Sequence, residues 1–251
     1  MSDDEHTSPS TLLDVAREAG VSPSTVSRIL NGTAKVSDDK RQAVMAAIAR
    51  TKFAPNLMAQ GLKRGRSQTI GIVVQDISSP YFDETLRGVD DGLKGTGYAS
   101  VIVSGPADNI DAEERAAGYR RALSEAGIAV DPKLMVEGNF HENSGLLAVN
   151  HLFDTGQQFT AVFAANDQSA YGVRLCLYRK GIRVPDDVSL VGFDDLPGSS
   201  YTTPPLTTIR QPLYDMGLVA TNALLRLIHG EPVQAQVPPL ELVVRETTRR
   251  R

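Results

Sequence analysis

A break in helical periodicity at residues 20–23 most constrains the amino-terminal part of this 251-residue chain. Before the break, apolar residues recur at helical spacing at Leu12, Val15, Ala16 and Ala19. Gly20 is suited to end that helix, and Ser22 with Pro23 to begin another, because serine caps helices and proline fits their first position. The sequence therefore predicts two short helices joined by a tight turn.

The second of these helices has an exposed face of short polar side chains. We expect it to run from Pro23 to about Asn31 and to end at Gly32. Its inward positions are Val26, Ile29 and Leu30, and its outward positions are Ser24, Ser27, Arg28 and Asn31. Small side chains allow close approach to a surface, so that Arg28 can reach a guanine edge or a phosphate in the DNA major groove. An ordinary amphipathic surface helix is the alternative, but it usually carries Glu and Lys.

A third helix and a surplus of positive charge complete this amino-terminal head. Ser37 is expected to cap a helix with Val44, Ala47 and Ile48 in the core. Residues 11–66 hold ten Lys or Arg against four Asp or Glu, whereas residues 67–251 hold sixteen against twenty-three. A basic head on an acidic body favours a polyanionic partner for the head, and chance clustering on a solvated surface is the alternative.

Residues 11–62 resemble the DNA-binding head of the lactose repressor/galactose repressor (LacI) family. The matching segments are "TLLDVAREAGVSPSTVSRILNG" and "VSDDKRQAVMAAIARTKFAPNLMAQGL". The resemblance implies DNA contacts by Thr11, Ser22, Pro23, Ser24, Thr25, Ser27, Arg28 and Asn31, of which Pro23, Ser24 and Arg28 read bases. It also implies a hinge helix that contacts DNA through Asn56, Ala59 and Leu62. Leu62 would enter the minor groove as an apolar wedge between base steps, and a core leucine is the alternative.

The rest of the chain alternates apolar strands with amphipathic helices, which is typical of a doubly wound parallel α/β sheet. A buried strand is expected over "TIGIVV", followed by strands in "YASVIVSG", "TAVFAAND" and "DVSLVGFDD". Polar residues follow the apolar runs at Asn166, Asp167, Asp194 and Asp195. Because ligands bind beyond the carboxyl ends of such strands, these four side chains are candidates for a binding site.

This second part resembles the two-lobed, periplasmic-binding-protein-like effector domain of the same family. The matches are "FAANDQSAYG", "VPDDVSLVGFDDLP" and "PPLTTIRQPLYDMG". The resemblance implies an effector pocket lined by Arg115, Phe140, Asn166 and Asp194, faced by Tyr81 and Phe82 from the first lobe. Carboxylate, amide, guanidinium and aromatic groups suit a sugar-like ligand. Solvated loop acids or the paired carboxylates of a hydrolase are alternatives for Asp194 and Asp195.

The join after "YASVIVSG" departs from the family, which has several more βα units before a helix like "AEERAAGYRRAL". Each βαβ unit needs ~30 residues or more, so an internal deletion leaves the first lobe incomplete. We expect "YASVIVSG" to replace the missing first strand of the second lobe, and effector affinity to be weakened. The expected organisation is a head with its hinge at 1–62, a linker at 63–68 and a truncated effector and dimerisation domain at 69–251.

These features predict a sequence-specific transcriptional repressor that binds a pseudo-palindromic double-stranded operator as a homodimer and responds to a sugar-like effector. By family resemblance, the helix from Pro80 to Lys94 is the candidate dimer surface. One alternative is a truncated, defective or dominant-negative regulator without the normal effector response, and another is a solute-binding module. We expect no catalytic residues, metal or cofactor. The single Cys176, the polar amino terminus and the absence of an apolar run of about 18 residues predict a cytoplasmic protein with a buried thiol and no membrane span.

Overall fold

The structure is a computed structural model that describes residues 10–30, 36–53, 68–104 and 110–250. These residues form two compact units, of which one ends at Gln68 and the other begins at Thr69. The described residues of the first unit are helical, whereas those of the second contain both helices and strands.

Three helices make up the described part of the first unit: α1 (Leu12–Glu18), α2 (Pro23–Leu30) and α3 (Asp38–Thr51). Thr11 and Asp14 form a reciprocal capping box at the start of α1. Gly20 has φ +64°, a left-handed conformation that costs glycine little and ends α1. The helix-turn-helix and the third helix predicted from the sequence are therefore confirmed.

One small apolar core holds these three helices together. Its buried members are Val15, Ala16, Val26, Ile29, Val44 and Ala47. Between α1 and α3, the Nε of Arg50 donates to Glu18 Oε1 at 2.8 Å. Because Val26 and Ile29 are the buried residues of α2, the core fixes which face of α2 points outward.

The second unit divides into two lobes with separate sheets. Its described helices are α4 (Tyr81–Leu93), α5 (Ile110–Glu125), α6 (Glu142–Asp154), α7 (Asp167–Arg179) and α8 (Leu213–Ile228). Its strands are β1 (Thr69–Val74), β2 (Ala99–Ser104), β3 (Ala161–Phe163), β4 (Ser189–Asp194), β5 (Thr207–Arg210) and β6 (Glu241–Val243). Short 3-10 helices span Pro132–Leu134 and Pro197–Ser200.

The first lobe is a two-stranded parallel sheet of β1 and β2 with α4 and α8 packed beside it. Its buried core consists of Ile70, Val89, Leu93 and Leu225. Gly88 permits the close approach of α4 to α8, because a Cβ there would lie 2.0 Å from the carbonyl oxygen of Tyr214. Gly217 does the same from α8, where a Cβ would lie 2.0 Å from the carbonyl oxygen of Thr85.

The second lobe has the larger described sheet, with strand order β3-β4-β5-β6. The first three strands are parallel, and β6 runs antiparallel to β5, which differs from the all-parallel expectation. Nine buried residues form its core, namely Val149, Ala164, Ala170, Val173, Cys176, Leu177, Val188, Leu190 and Leu206. The buried thiol predicted for Cys176 is confirmed.

The position of β2 corrects one expectation from the sequence. β2 does not join the second lobe, because it pairs in parallel with β1 at six positions, from Thr69↔Ala99 to Val74↔Ser104. The first lobe is incomplete, as expected, and this leaves Val73 77% exposed although the sequence predicted a fully buried strand. Within the described ranges, no helix combines the length and apolar character needed to cross a membrane.

Candidate functional site

The outward face of α2 carries most of the side chains that the sequence assigned to DNA contact. Ser22, Pro23, Ser24 and Arg28 are exposed, and Thr25 and Ser27 are half-buried. Ser22 Oγ accepts the backbone N–H of Thr25 at 3.2 Å, which caps the first turn of α2. The same oxygen lies 2.9 Å from Ser24 Oγ and 2.8 Å from Thr25 Oγ1, so three hydroxyls cluster at the start of the helix.

Arg28 extends along this face of α2 rather than away from it. Its Nε donates to the carbonyl oxygen of Ser24 at 3.3 Å. The rest of the guanidinium carries the paired donors that suit the two acceptors of a guanine edge. A close-packing helix face with one such group is able to read a base in the major groove.

The other predicted DNA contacts divide into two groups. Thr11 is exposed and acts as the N-cap of α1, where its side chain accepts the backbone N–H of Asp14 at 3.4 Å. Asn31, Asn56, Ala59 and Leu62 lie outside the described residues, together with the predicted hinge helix.

Arg115 and Asp194 form the charged centre of the second candidate site, in the second unit. Arg115 Nη1 donates to the carbonyl oxygen of Ala165 at 2.8 Å, and its guanidinium lies 4.2 Å from the ring centre of Phe193. Arg115 Nη2 is 3.8 Å from Asp194 Oδ1, which is too long for a direct hydrogen bond. This spacing leaves the two charged groups able to share a ligand hydroxyl between them.

Burial sets the electrostatic state of Asp194, whose relative exposure is 2%. Burial raises the pKa of Asp194 to about 7, against the opposing effects of a hydrogen bond from Gln211 and the charge of Arg115. Gln211 Nε2 donates to Asp194 Oδ1 at 2.8 Å. A hydroxyl-bearing ligand that donates to this carboxylate would favour its ionised form.

Asn166 and Phe140 line the site but are partly engaged by the protein. Asn166 Oδ1 accepts the backbone N–H of Ser169 at 2.9 Å, which makes it the N-cap of α7. Its Nδ2 donates to the carbonyl oxygen of Phe140 at 2.8 Å. The amide retains one lone pair and one hydrogen for a ligand.

The backbone is strained at three residues of this region. Phe140, Asp194 and Asp195 have φ of +67°, +117° and +59°, a region that side chains rarely adopt. Such conformations persist only where the surroundings impose them, and they concentrate at binding sites. The strain therefore agrees with a site at the carboxyl end of β4.

Tyr81 and Phe82, the predicted contacts from the first lobe, line the same cavity as Arg115, Phe140, Asn166 and Asp194. The two rings meet edge to face, with centres 5.0 Å apart. Burial raises the pKa of the Tyr81 hydroxyl, so this group stays a protonated donor at neutral pH. The structure thus brings all six predicted effector residues to one cavity of about 1800 Å³.

The other acidic residues at these strand ends have structural partners. Asp167 Oδ2 accepts from Ser199 Oγ at 2.5 Å, and Asp167 Oδ1 accepts from Thr208 Oγ1 at 2.6 Å. Asp195 forms ion pairs with Arg210 at 2.7 Å and with Arg245 at 2.6 Å. Both carboxylates therefore bind neighbouring segments of the second lobe together.

Sequence reasoning missed two groups of residues near the cavity. Gln211 was not identified, although it follows β5 directly and so stands at a strand's carboxyl end, where the placement rule applied to Asp194 could have found it. Two polar contacts also cross between the lobes. Ser79 Oγ donates to Gln168 Oε1 at 2.8 Å, and His141 Nε2 lies 3.5 Å from Asp76 Oδ2.

Comparisons with known proteins place both parts of the chain in known families. Residues 11–56 match the model for bacterial regulatory proteins of the lacI family, and residues 91–248 match that for the periplasmic binding protein-like domain. The chain belongs to the lacI family of bacterial regulatory proteins. Its fold is that of the family, with a helix-turn-helix head followed by a periplasmic-binding-protein-like α/β domain.

Three similar proteins, two of them with solved structures, illustrate the relationship. Catabolite control protein A of Priestia megaterium is 27% identical over 318 positions, covering 92% of this chain and 96% of that protein. The lac repressor dimer bound to operator and the anti-inducer ONPF has a TM-score of 0.77 at 25% identity, covering 96% of this chain and 99% of its own. The complex of the transcriptional regulator CelR with cellobiose has a TM-score of 0.66 at 26% identity, covering 95% and 99%.

The alignment length bears on the internal deletion. An alignment of 318 positions is longer than the 251 residues of this chain, although it includes only 92% of them. Stretches of the relative therefore have no counterpart here. This difference agrees with the missing βα units predicted at the join between "YASVIVSG" and the helix α5.

Proposed function

We propose that this lacI-family chain is a transcriptional repressor whose α2 helix reads a specific operator in duplex DNA. The observation that carries the proposal is the outward face of α2, where Ser22, Ser24 and Thr25 surround the helix start and Arg28 supplies one guanidinium. By family likeness, the operator is pseudo-palindromic and a homodimer places one α2 in each half-site. The lac repressor, which binds its operator as a dimer, supports this arrangement.

Substitution of Arg28 tests the proposal directly. After selection of a preferred site from random DNA, Arg28→Ala should weaken binding at that site by about 1–3 kcal/mol and relax the base preference there. The matched control is Arg41→Ala, which removes the same charge from an exposed position on α3. The control should weaken binding equally for all sequences, if at all. Equal affinity of Arg28→Ala and the unmodified protein for the selected site would refute the role of α2.

The hinge residues Asn56, Ala59 and Leu62 are part of the same proposal. We expect Leu62 to enter the minor groove and bend the operator, because an apolar side chain between base steps unstacks them. Leu62→Ala should therefore reduce the bend measured by energy transfer between labelled DNA ends. An unchanged bend angle in the Leu62→Ala complex would contradict the proposed insertion of Leu62 between base steps.

We also propose a sugar-like effector for the cavity that contains Arg115 and Asp194. A carboxylate and a guanidinium 3.8 Å apart, with aromatic rings beside them, suit the hydroxyls and apolar faces of a sugar. The related CelR structure, a complex with cellobiose, supports this class of ligand. The effector would shift the dimer between operator-binding and non-binding arrangements by preferring one of them.

Calorimetric titration with mono- and disaccharides, cellobiose among them, tests the effector site. Arg115→Ala should abolish the binding that the unmodified protein shows, because the guanidinium is held inside the cavity. Arg121→Ala is the matched control, since Arg121 lies on the same helix with a side chain 76% exposed. Loss of binding in the control as well would indicate damage to the helix rather than loss of a ligand contact.

A truncated regulator without a normal effector response is the second candidate function. It is favoured by the cavity volume of about 1800 Å³, since ligand pockets usually measure ~300–1,000 Å³. Such a chain would bind its operator regardless of sugar, or form mixed dimers with intact relatives. Operator affinity that no sugar changes would favour this candidate, and a solute-binding module is disfavoured by the attached helix-turn-helix head.

A catalytic role is not part of the proposal. A hydrolase would use two free carboxylates beside its substrate, but Asp195 is held by Arg210 and Arg245. The related proteins named above are described as regulators rather than enzymes.

A further inference from the structure

Gln211 lies where the chain crosses from the second lobe to the first. It is half-buried and directly follows β5, and only Pro212 separates it from α8, which packs on α4. Its carbonyl oxygen accepts the backbone N–H of Leu213 at 2.9 Å, and Pro212 has φ −79° and ψ 62°. This is the geometry of an inverse γ-turn, so the crossover is a short and rigid connection.

In the second lobe, Gln211 holds both the main chain and the side chain of Asp194. Its backbone N–H donates to the carbonyl oxygen of Asp194 at 3.3 Å, and its Nε2 donates to Asp194 Oδ1 at 2.8 Å. Asp194 has φ +117°, a conformation that persists only where neighbouring groups impose it. Gln211 therefore helps to fix the position of this carboxylate.

In the first lobe, Gln211 contacts Tyr81, the first residue of α4. Burial raises the pKa of the Tyr81 hydroxyl, and a hydrogen bond with the Gln211 side chain opposes that rise. An amide has two donor hydrogens and an acceptor oxygen, so it is able to bond two partners at once. One side chain thus joins a carboxylate of the second lobe to a hydroxyl of the first.

Gln211 itself lies behind the cavity. The described residues that line the cavity include Tyr81 and Asp194 but not Gln211. A ligand in the cavity would therefore touch the two side chains that Gln211 joins without touching Gln211. This position distinguishes Gln211 from Arg115 and Asn166, which line the cavity.

We propose that Gln211 is a positioning residue that couples Asp194 to Tyr81 across the two lobes. Tyr81 fixes the orientation of the amide, and the oriented amide donates more strongly to Asp194, because hydrogen bonds in a chain polarise one another. A ligand group that competes for Asp194 Oδ1 alters the contact at Tyr81 in turn, and so acts on α4 in the first lobe. The coupling rests on the proposed effector function only for the identity of that ligand.

A double-mutant cycle that is read at Asp194 tests the coupling on the full chain without sugar or operator. NMR of isotope-labelled aspartate follows the carboxyl group through a pH titration, and Asp194→Asn identifies its signal. The hydrogen bond from Gln211 opposes the burial that raises the pKa of Asp194. Tyr81→Phe should weaken that hydrogen bond and so raise the titration midpoint. In a Gln211→Met background, Tyr81→Phe should leave the midpoint unchanged.

The other groups that act on Asp194 stay the same throughout this cycle. They are Arg115 and Asp111 on α5 and Asp167 on α7. Because all four proteins of the cycle retain them, their contributions cancel in the comparison. A merely structural role of Gln211 would change the midpoint in Gln211→Met but would not remove the effect of Tyr81→Phe.

Gln168→Met is the matched control for loss of an amide that crosses between the lobes. Gln168 lines the same cavity, and its side chain bonds Ser79 at 2.8 Å and Glu142 at 3.2 Å rather than Asp194. Tyr81→Phe should still raise the midpoint in this background. Gln211→Asn keeps the amide but shortens its reach by one methylene, so it should behave as Gln211→Met does and replaces that variant if it does not fold.

Three results would overturn the proposal. They are an equal shift of the midpoint by Tyr81→Phe in the unmodified and Gln211→Met backgrounds, no shift in either background, and loss of the shift in the Gln168→Met background as well. Failure of every sugar to bind would count against the proposed effector function and would leave the result of this cycle unaffected.

Discussion

At the scale of single residues, the stability of the folded chain and the proposed binding of an effector both depend on the protonation of Asp194. Its carboxyl is 2% exposed, and burial raises its pKa to about 7, whereas in the unfolded chain it ionises near 3.8. Between these two pH values the folded state keeps a proton that the unfolded state has lost. The free energy of unfolding should therefore fall as pH rises through this window, by at most about 1.4 kcal/mol per pH unit.

Asp194→Asn removes this dependence, because an amide does not ionise in this range. We expect the variant to be more stable than the unmodified protein at pH 8 and to have a flatter pH profile between pH 3.8 and about pH 7. Urea unfolding at a series of pH values measures both effects. A steeper profile in the variant would contradict the raised pKa.

Asp187 provides a control, because its pKa is shifted in the direction opposite to that of Asp194. Hydrogen bonds and the charge of Arg183 lower the pKa of Asp187, so its contribution is present above the unfolded value and is lost as pH falls. Asp187→Asn should therefore flatten the profile at acidic pH and leave the neutral window unchanged.

At the scale of elements, glycines determine how closely the helices of the second unit pack. A Cβ at Gly145 would lie 2.1 Å from the carbonyl oxygen of Ser169, and one at Gly172 would lie 1.7 Å from that of Glu142. Helices α6 and α7 are therefore in backbone contact, and neither position accommodates a methyl group without displacement of a helix.

Gly145→Ala should reduce the free energy of unfolding by about 1–3 kcal/mol, because α6 must shift away from α7. Gly118→Ala on α5 is the matched control, since no atom lies within 4 Å of its ideal Cβ position. The control should be stabilised by about 0.5–1 kcal/mol, as expected when a helical glycine becomes alanine. Equal urea midpoints for the two variants would contradict the packing argument.

Elements with local signals could be predicted from the sequence. Thr11, Gly20 and the Ser22–Pro23 pair fix their helices through caps and dihedral preferences that involve only neighbouring residues. The partner of β2 could not be read in this way, because an apolar strand fits either lobe and pairing depends on distant segments. Helix α6 was not predicted, although Leu146 and Val149 in its segment "HENSGLLAVNHLFD" lie at helical spacing.

The candidate site shows the same division between local and distant information. The six predicted effector residues line one cavity. Strand ends explain this only for Asn166 and Asp194, because polar residues at the carboxyl ends of parallel strands meet at one sheet edge. The other four residues were expected from the family resemblance. The size of that cavity and the exposure of Val73 could not be predicted, since they depend on which segments of the family fold are missing.

At the scale of the whole molecule, the proposed repressor must form a dimer although its first lobe is reduced. The predicted dimer surface, from Pro80 to Lys94, includes α4, one face of which packs on α8. Its exposed residues include Asp83, Arg87 and Asp90.

We expect light scattering after size exclusion to show a dimer. Arg87→Glu should shift the dimer toward monomer by charge repulsion. Asp215→Lys, a charge reversal at an exposed position on α8, is the control, and an equal shift in both variants would argue against α4 as the surface.

A hydroxyl-radical footprint on the selected operator at modest salt tests the central claim, that α2 reads duplex DNA. We expect two protected half-sites related by a two-fold axis, with protection lost on Arg28→Ala and retained on Arg41→Ala. No protected sequence, or equal protection by both variants, would contradict it.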